Sequence, residues 1–180
     1  MKFVKVNEEV LYSADRIVRV GQEDIEFLKA AALKNKRERI RLCGHRSTGD
    51  AVHEMLIVHT RSTYVRPHKH LGKSESFHVI EGSANIVVFD DSGTVAEIVP
   101  MGPHGTRRNF FYRLSEPAFH TLLITSDFFV FHETTNGPFK REETVFAPWS
   151  PEDTDEKGAK IFLDGLAKVV QEHLSQNGRV

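Results

Sequence analysis

Short runs of β-branched and aromatic residues, each bounded by turn residues, recur between residues 39 and 133. This pattern is typical of β-strands. The predicted strands cover residues 39–43, 52–59, 62–70, 76–81, 85–89, 95–99, 110–114, 119–125 and 128–133. The sequence Asp90-Asp91-Ser92-Gly93 predicts a hairpin turn between two of them. So many short strands without intervening helices predict an antiparallel barrel or a double-sheet jelly roll.

Apolar residues with helical spacing flank this strand-rich region on both sides. The N-terminal set is Ile25, Leu28, Ala31 and Ala32, and the C-terminal set is Phe162, Leu166, Val169, Val170 and Leu174. Asp24 is placed to cap the first helix, and Ser150-Pro151 predicts the start of the second. Weaker strand candidates lie at residues 3–6 and 17–20. The predicted parts are an N-terminal strand and helix extension packed on the barrel, the β-barrel and a C-terminal helical segment, at residues 1–38, 39–148 and 149–180.

The composition fits a single soluble domain. A chain of 180 residues with 39% hydrophobic residues can form one domain with a substantial core. The 24 basic and 25 acidic residues leave a net charge of -1, so no strong field favours nucleic acid or an anionic membrane. No apolar run approaches the ~20 residues of a membrane span, and the charged N-terminus does not resemble a signal peptide. The single Cys43 allows no internal disulfide, and we therefore expect a cytoplasmic protein.

Three side chains that commonly bind metals lie in a fixed frame, His68-x-His70-x4-Glu75-x6-Gly82. Residues two apart on a strand point to the same face, so His68 and His70 project together, about 6.6–6.8 Å apart at the backbone. Residues 71–74 can reverse the chain and bring Glu75 in from the neighbouring strand. Glu75 then shares a face with the alternate apolar residues that follow it, which places its carboxylate beside an apolar wall.

His120, on a later apolar stretch, is a candidate for the fourth ligand. Imidazole and carboxylate groups without a thiolate suit one divalent ion of iron, manganese, zinc, nickel or cobalt. Cys43 lies outside the frame, which argues against a thiolate-rich structural zinc site. Four protein ligands around an octahedral ion would leave two positions open for water, dioxygen or substrate oxygens. The frame therefore predicts a chemically competent metal site.

The same frame resembles the first cupin motif, G-x5-H-x-H-x3–4-E-x6-G, with Ser62 in place of the opening glycine. The wider sequence resembles the WbuC family of cupin-fold metalloproteins over roughly residues 37–150. The segments that carry this likeness are Val52-His53-Glu54-Met55, Tyr64-Val65-Arg66-Pro67-His68-Lys69-His70, Glu75-Ser76-Phe77-His78-Val79-Ile80-Glu81-Gly82, Phe89-Asp90-Asp91-Ser92-Gly93, Glu133-Thr134-Thr135-Asn136-Gly137-Pro138-Phe139 and Phe146-Ala147-Pro148-Trp149.

The second cupin motif, G-x5-P-x-G-x2-H-x3-N, is degraded in this chain. His120 matches its histidine, but Ser115, Pro117 and Ile124 stand where the motif has proline, glycine and asparagine. The metal ligands that the resemblance implies are His68, His70, Glu75 and His120. It also implies a small β-barrel and, because the family is associated with bacterial surface-polysaccharide (O-antigen) gene clusters, a sugar or nucleotide-sugar ligand.

Tyr64 and Arg66 share strand parity with His68 and are predicted to bind substrate. Arg66 could hold a carboxylate or phosphate with two hydrogen bonds. It could equally be a rim or surface arginine, because Pro67 can disturb the strand alternation. The candidates for proton transfer are His53, Glu54 and Glu133, although hydrogen-bonded or solvated strand residues of these types are also common.

Arg37, Arg39 and Arg41 alternate on one side of a predicted strand. They could receive the diphosphate of a nucleotide-sugar. We favour a solvated face balanced by nearby acids, which is the more common role of such residues.

The leading hypothesis is a metal-dependent enzyme, an isomerase, epimerase or oxygenase, that acts on a small polar or anionic metabolite. The alternatives are a metal-independent sugar epimerase or isomerase and a non-catalytic module that binds or senses a small molecule. A purely structural metal is a further option. A homodimer is plausible, because an exposed sheet edge near the N-terminus invites pairing.

Overall fold

The structure, a computed structural model, describes residues 1–176, which form two β-sheets and two α-helices. The strands are β1 (Phe3–Asn7), β2 (Val10–Ser13), β3 (Arg39–Cys43), β4 (Val52–Thr60), β5 (His68–His70), β6 (Glu75–Glu81), β7 (Ala84–Phe89), β8 (Val95–Met101), β9 (Phe111–Leu114), β10 (Phe119–Ile124), β11 (Phe128–Asn136) and β12 (Thr144–Phe146). The helices are α1 (Gln22–Ala32) and α2 (Glu156–Gln176), and Arg141–Glu143 forms one 3-10 turn. Neither helix in this described part is long and apolar enough to cross a membrane.

The strands form a seven-stranded sheet, β1-β2-β3-β4-β11-β6-β9, and a five-stranded sheet, β12-β5-β10-β7-β8. All neighbouring strands are antiparallel except β2 and β3. Alternate residues of β11, Phe129 and Phe131, pack with Phe77 and Leu122 in the core between the sheets. The predicted mainly-β cupin fold, a two-sheet jelly roll with an N-terminal and a C-terminal helix, is confirmed.

Each helix covers the outer face of one sheet. Leu28 of α1 packs in one cluster with Val58 and Val130, whose side chains leave the seven-stranded sheet on the side away from the core. The cluster under α2 combines helical and five-stranded sheet residues, namely Leu166, Val170, Val87, Phe89, Ile98, Phe119 and Ala147. Apolar residues on one face of these strands therefore pack between the sheets, and those on the other face pack under a helix. The central strands are buried on both faces because a helix or the second sheet covers each side.

The helix starts differ from the predicted ones. Helix α1 begins after Gly21, and the Asp24 carboxylate accepts the Gly21 N–H at 2.9 Å from inside the first turn. Helix α2 begins at Glu156, later than Ser150, whose hydroxyl instead donates to the carbonyl of Ala147 at 2.8 Å. The predicted C-terminal segment extends to residue 180, and its last four positions, 177–180, lie outside the described residues.

Most predicted strands are present within one to three residues of their predicted ends, but residues 62–70 contribute only His68–His70. Pro67 has no N–H to donate, and residues 64–67 make no sheet pairing. Residues 17–20 form no strand, whereas the short strands β2 and β12 were not predicted. The turn at residues 90–93 is confirmed: Gly93 has a φ of 92° and donates its N–H to the Asp90 carbonyl at 3.1 Å.

Candidate metal centre

The frame histidines meet in the five-stranded sheet. His68 and His70 lie on β5, and His120 lies directly opposite His68 on the paired strand β10. One ring nitrogen from each of the three histidines lies within 4.8 Å of the others. The three-residue strand β5 therefore places two imidazoles at one point, and the neighbouring strand β10 places the third there.

Glu75 reaches this cluster from the other sheet, because it is the first residue of β6. Its Oε1 lies 2.8 Å from Nε2 of His120, and its Oε2 lies 3.4 Å from Nε2 of His70. The prediction of a neighbouring strand is thus corrected: Glu75 crosses the interior between the sheets. The turn that makes this possible contains Gly72, whose φ of 69° lies in the left-handed region.

The frame glycine has a steric role at the far end of β6. Gly82 has a φ of 80°, and a Cβ there would collide with the carbonyl oxygen of Phe128, the first residue of β11. Glycine therefore allows the backbone to approach β11 closely. This contact helps to fix the position of β6, and with it the position of Glu75.

Backbone carbonyls orient two of the imidazoles. Nδ1 of His68 lies 2.8 Å from the Arg66 carbonyl oxygen, and Nδ1 of His120 lies 2.9 Å from the Ala118 carbonyl oxygen. A carbonyl oxygen only accepts hydrogen bonds, so Nδ1 carries the hydrogen and Nε2 turns a lone pair toward the cluster. Nδ1 of His70 lies 3.2 Å from the hydroxyl of Thr144 on β12. These contacts are typical of metal-binding histidines.

The Glu75 carboxylate provides a direct test of whether a cation fits. In a neutral His120 ring the hydrogen is on Nδ1, so Nε2 can donate to Oε1 of Glu75, 2.8 Å away, only when His120 is protonated. While His120 is neutral, the buried Oε1 has no hydrogen-bond partner among residues 1–176. A carboxylate oxygen and lone pairs of imidazole that face one point repel each other unless a proton or a metal ion lies between them. The residues therefore fit a divalent transition metal ion.

The titration of these groups favours metal binding. Burial, and then the charge of His120, lower the pKa of His68 to about 3, so its imidazole is neutral at physiological pH. Burial opposes ionisation of Glu75, but His120 and the hydrogen bonds from His120 and His70 hold the pKa of this carboxyl below its ordinary value. Burial likewise opposes the charge on His120, yet the Glu75 carboxylate raises its pKa. A metal ion would replace the proton that the Glu75–His120 pair shares.

The cluster lies at the buried end of a cavity of about 530 Å³, here called the main cavity. Its apolar wall comes from both sheets and consists of Val10, Ile40, Ile57, Val65, Phe77, Leu122 and Phe131. Four arginines line the more exposed part, namely Arg37, Arg39, Arg41 and Arg141. The interpretation of residues 37, 39 and 41 as a solvated face balanced by nearby acids is corrected in part: Arg37 and Arg39 do pair with acids, but all three side chains line the mouth of the metal cavity.

A smaller space of about 170 Å³, the side chamber, adjoins the main cavity. Arg41, His70, Glu133 and Phe139 line both spaces. Burial, and then the Glu75 carboxylate, raise the pKa of Glu133 to about 8. Glu133 therefore carries a proton at neutral pH while the accessible part of its side chain faces the cavities.

His53 also lines the side chamber. Its ring stacks on His45 at 4.1 Å with an interplanar angle of 2°, and its Nε2 has no hydrogen-bond partner in the described part of the chain. Burial, and then the charge of His45, lower the pKa of His53. Glu54, by contrast, lies on the exposed side of β4 and pairs with Nε2 of His132 at 2.7 Å. Of the two predicted neighbours on β4, the structure brings only His53 near the metal cluster.

Tyr64 and Arg66 do not line the main cavity. The Tyr64 hydroxyl donates to the Pro151 carbonyl at 2.9 Å, and Arg66 Nε donates to the Ser150 hydroxyl at 3.2 Å. Strand parity does not extend back from His68, because the residues before it are not in the sheet. The prediction that both residues line the substrate cavity is corrected: they attach the segment after β12 to the barrel.

Three cavity residues were not predicted as site residues. His59 lines the wall on β4, Glu9 approaches from the N-terminal hairpin, and Arg141 comes from the 3-10 turn. The strand parity of His59 with His53 was a usable sequence pattern for the first. No local pattern identifies Glu9 or Arg141, because long-range packing brings them to the cavity. Together, the fold and the site define a two-sheet jelly-roll protein with a candidate metal centre that opens to a basic cavity.

Comparison with known families gives no assigned activity. A family described as a domain of unknown function, DUF6016, matches residues 20–101, less than half of the 180 residues. No curated protein matches the chain. The family match includes three of the four candidate metal ligands, since only His120 lies beyond it.

Solved structures show similarity at the level of the fold. Protein SO0799 from Shewanella oneidensis matches 72% of this chain and 85% of its own length, with a TM-score of 0.53 and 11% identity. Oxalate decarboxylase from Bacillus subtilis matches 54% of this chain and 24% of its own, with a TM-score of 0.42 and 16% identity. The capsular polysaccharide assembling protein CapF from Staphylococcus aureus matches over 54% of this chain and 27% of the CapF chain, with a TM-score of 0.44 and 19% identity. The match thus spans about a quarter of the last two proteins.

Proposed function

We propose that this protein binds one divalent transition metal ion through His68, His70, Glu75 and His120, and that it is an enzyme acting on a small anionic metabolite. The observation that carries the proposal is the buried Glu75 oxygen, which lies 2.8 Å from Nε2 of His120, so that either a proton or a metal ion must lie between the two atoms. Three of the four groups lie in one sheet, and the fourth reaches them across the interior. Four ligands around an octahedral ion leave two positions for water or ligand oxygens.

The cavity supports a small ligand with one charged end. Its volume of about 530 Å³ lies within the range of small-molecule sites, about 300–1,000 Å³. Basic residues at the mouth favour an anion, and the apolar walls behind them favour an uncharged remainder. A sugar or nucleotide-sugar intermediate of surface-polysaccharide biosynthesis is the class that the resemblance of residues 37–150 to the WbuC family supports.

The bound ion would supply Lewis-acid or dioxygen chemistry at its open positions. Glu133 would hold a transferable proton between the main cavity and the side chamber, since its burial raises its pKa and favours the protonated form. His53, across the side chamber, would be the second proton-transfer group. The apolar wall around Phe77 and Phe131 would exclude water from the reacting part of the ligand.

Metal analysis of the purified native protein tests the first half of this proposal. We expect about one transition metal ion per chain in the native protein and a large loss in His68→Ala and in Glu75→Gln. His78→Ala is the matched control, because His78 lies on the same strand as Glu75 but on its exposed face. A folded native protein that neither contains nor takes up a transition metal ion would refute the proposal.

Activity assays test the second half. The metal-loaded protein is incubated with a panel of nucleotide-sugars and sugar phosphates, and products are followed by mass spectrometry. Turnover that disappears after chelation and returns with metal supports the metal-dependent enzyme. Turnover that survives chelation supports the metal-independent epimerase or isomerase, and saturable binding without turnover supports the non-catalytic module.

A further inference from the structure

The four arginines at the mouth of the main cavity are not equivalent. Glu9 accepts two hydrogen bonds from Arg37, at 2.6 and 2.7 Å, and one from Arg39 at 3.1 Å. Arg37 also donates to the Asp153 carboxylate at 3.0 Å. Two carboxylates therefore neutralise two guanidinium groups, and this network ties the N-terminal hairpin to the segment that leads into α2.

The other two arginines have no such partner. The side chains of Arg41 and Arg141 are exposed and make no hydrogen bond or ion pair with an acid in the described part of the chain. Glu133 interacts electrostatically with Arg41 but forms no hydrogen bond or ion pair with it in the described residues. The mouth therefore carries two positive charges, on Arg41 and Arg141, that no carboxylate within residues 1–176 neutralises, whereas Arg37 and Arg39 are paired with acids.

These two charges come from facing walls of one cavity. Arg41 projects from β3 of the seven-stranded sheet, where the alternate residues Arg39, Arg41 and Cys43 share a face. Arg141 belongs to the 3-10 turn just before β12, at the edge of the five-stranded sheet. A ligand entering between the sheets would thus pass between two guanidinium groups.

The number and arrangement of the charges indicate the ligand group. One guanidinium satisfies one carboxylate with two parallel hydrogen bonds. Two guanidinium groups on opposite sides instead match a dianion with oxygens on several sides, such as a phosphate or diphosphate. Phe139, exposed beside Arg141 and lining the same cavity, offers an aromatic surface to the uncharged neighbour of that group.

We infer that Arg41 and Arg141 form a clamp for a phosphate or diphosphate group, so that the ligand of the metal site is a phosphorylated metabolite. The inference rests on the proposed function, because the uncharged part of such a ligand would extend from the clamp toward His70 and Glu75. The clamp fixes the charged end at the mouth, and the apolar walls accommodate the part that reaches the metal. Arg41 and Arg141 are thus specificity-determining residues for the substrate class.

Calorimetric titration of the metal-loaded protein with inorganic pyrophosphate tests the clamp, with malonate as the carboxylate probe. We expect pyrophosphate to bind more tightly than malonate, and each of Arg41→Gln and Arg141→Gln to weaken pyrophosphate binding by about tenfold or more. Arg61→Gln is the control with the same change in net charge, because Arg61 lies outside the main cavity and pairs with Asp127. It should bind pyrophosphate like the native protein.

Metal content is measured in each sample, since pyrophosphate can also bind metal ions directly. Tight pyrophosphate binding that is unchanged in Arg41→Gln and Arg141→Gln overturns the clamp. Pyrophosphate binding that is lost in His68→Ala but kept in both arginine variants also overturns it, because the metal alone would then account for the binding. Tighter binding of malonate than of pyrophosphate overturns the phosphate assignment. If the clamp fails while metal content stays near one ion per chain, the proposed metal function is unaffected. If the native protein binds no metal but its pyrophosphate binding needs both arginines, only the proposed metal function fails.

Discussion

Burial of His59 in the wall of the main cavity is predicted to make the protein less stable at low pH. The residue is 7% exposed, its ring contacts Phe131 edge-on at 5.6 Å, and its Nδ1 has no partner among residues 1–176. Burial, and then the charge of Arg39, lower the pKa of His59 from 6.5 to about 3. The folded protein therefore keeps this imidazole neutral while the unfolded chain can protonate it.

The sign and size of the effect follow from this difference in pKa. Above about pH 6.5 both states are neutral, and His59 adds no pH dependence to stability. As the pH falls toward 3, only the unfolded state gains the proton, and the free energy of unfolding falls by about 1.4 kcal/mol per pH unit. At about pH 5 the accumulated loss is about 2 kcal/mol. We expect His59→Phe to remove this loss, because a phenyl ring takes no proton in either state.

Urea unfolding at about pH 8 and about pH 5 measures the difference. Relative to the native protein, His59→Phe should lose about 2 kcal/mol less stability between the two conditions, whatever its stability at the higher pH. His104→Phe is the matched control, because His104 lies on an exposed loop and its ring is solvated before and after unfolding. An identical change in the native protein and in His59→Phe would show that His59 is not held neutral by the fold.

Three further predictions concern the turn glycines, the attachment of the C-terminal segment and the metal. In urea unfolding, Gly82→Ala should destabilise the protein by clearly more than Gly72→Ala. Both glycines have positive φ, which costs alanine about 1–2 kcal/mol, but only at Gly82 would the new Cβ also collide with a backbone oxygen. Equal losses in the two variants would contradict this. Tyr64→Phe should cost about 1 kcal/mol through the lost hydrogen bond to Pro151 and leave metal content unchanged, so a loss of metal would place Tyr64 at the site. Metal at about 100 times its Kd should add about 2.7 kcal/mol to stability, and this gain should disappear in His120→Ala; thermal unfolding that metal does not shift would argue against binding to the folded state.

The sequence was sufficient for the fold class because the evidence for it is local. Alternation over two residues, turn residues between the runs and the frame around His68 and His70 all act within about ten residues. Gly82 belongs to the same local pattern, and the structure gives the reason, since a side chain there would meet the backbone of β11. Strand boundaries were least accurate where a proline interrupts the alternation, as at Pro67.

The mouth of the cavity could not be predicted in the same way. The pairing of β2 with β3 is parallel and joins residues far apart in sequence, and it is this pairing that brings Glu9 beside Arg37 and Arg39. Strand parity with His68 predicts that Arg66 lines the cavity, yet the structure places Arg41 there and not Arg66, because parity holds only for residues within the strand. The role of each arginine depends on which acids fold against it, and this is a property of the tertiary structure.

The candidate ligands also connect the metal to the stability of the fold. His68, His70 and His120 belong to the five-stranded sheet, whereas Glu75 begins a strand of the seven-stranded sheet. An ion bound to all four would link the two sheets beside the core residues Phe77 and Phe131. Unfolding separates the sheets and destroys the site, so metal binding must stabilise the packed state by mass action. A histidine variant that lacks metal should therefore lose stability as well as function, and its ligand affinity is comparable with that of the native protein only at a temperature where both are fully folded.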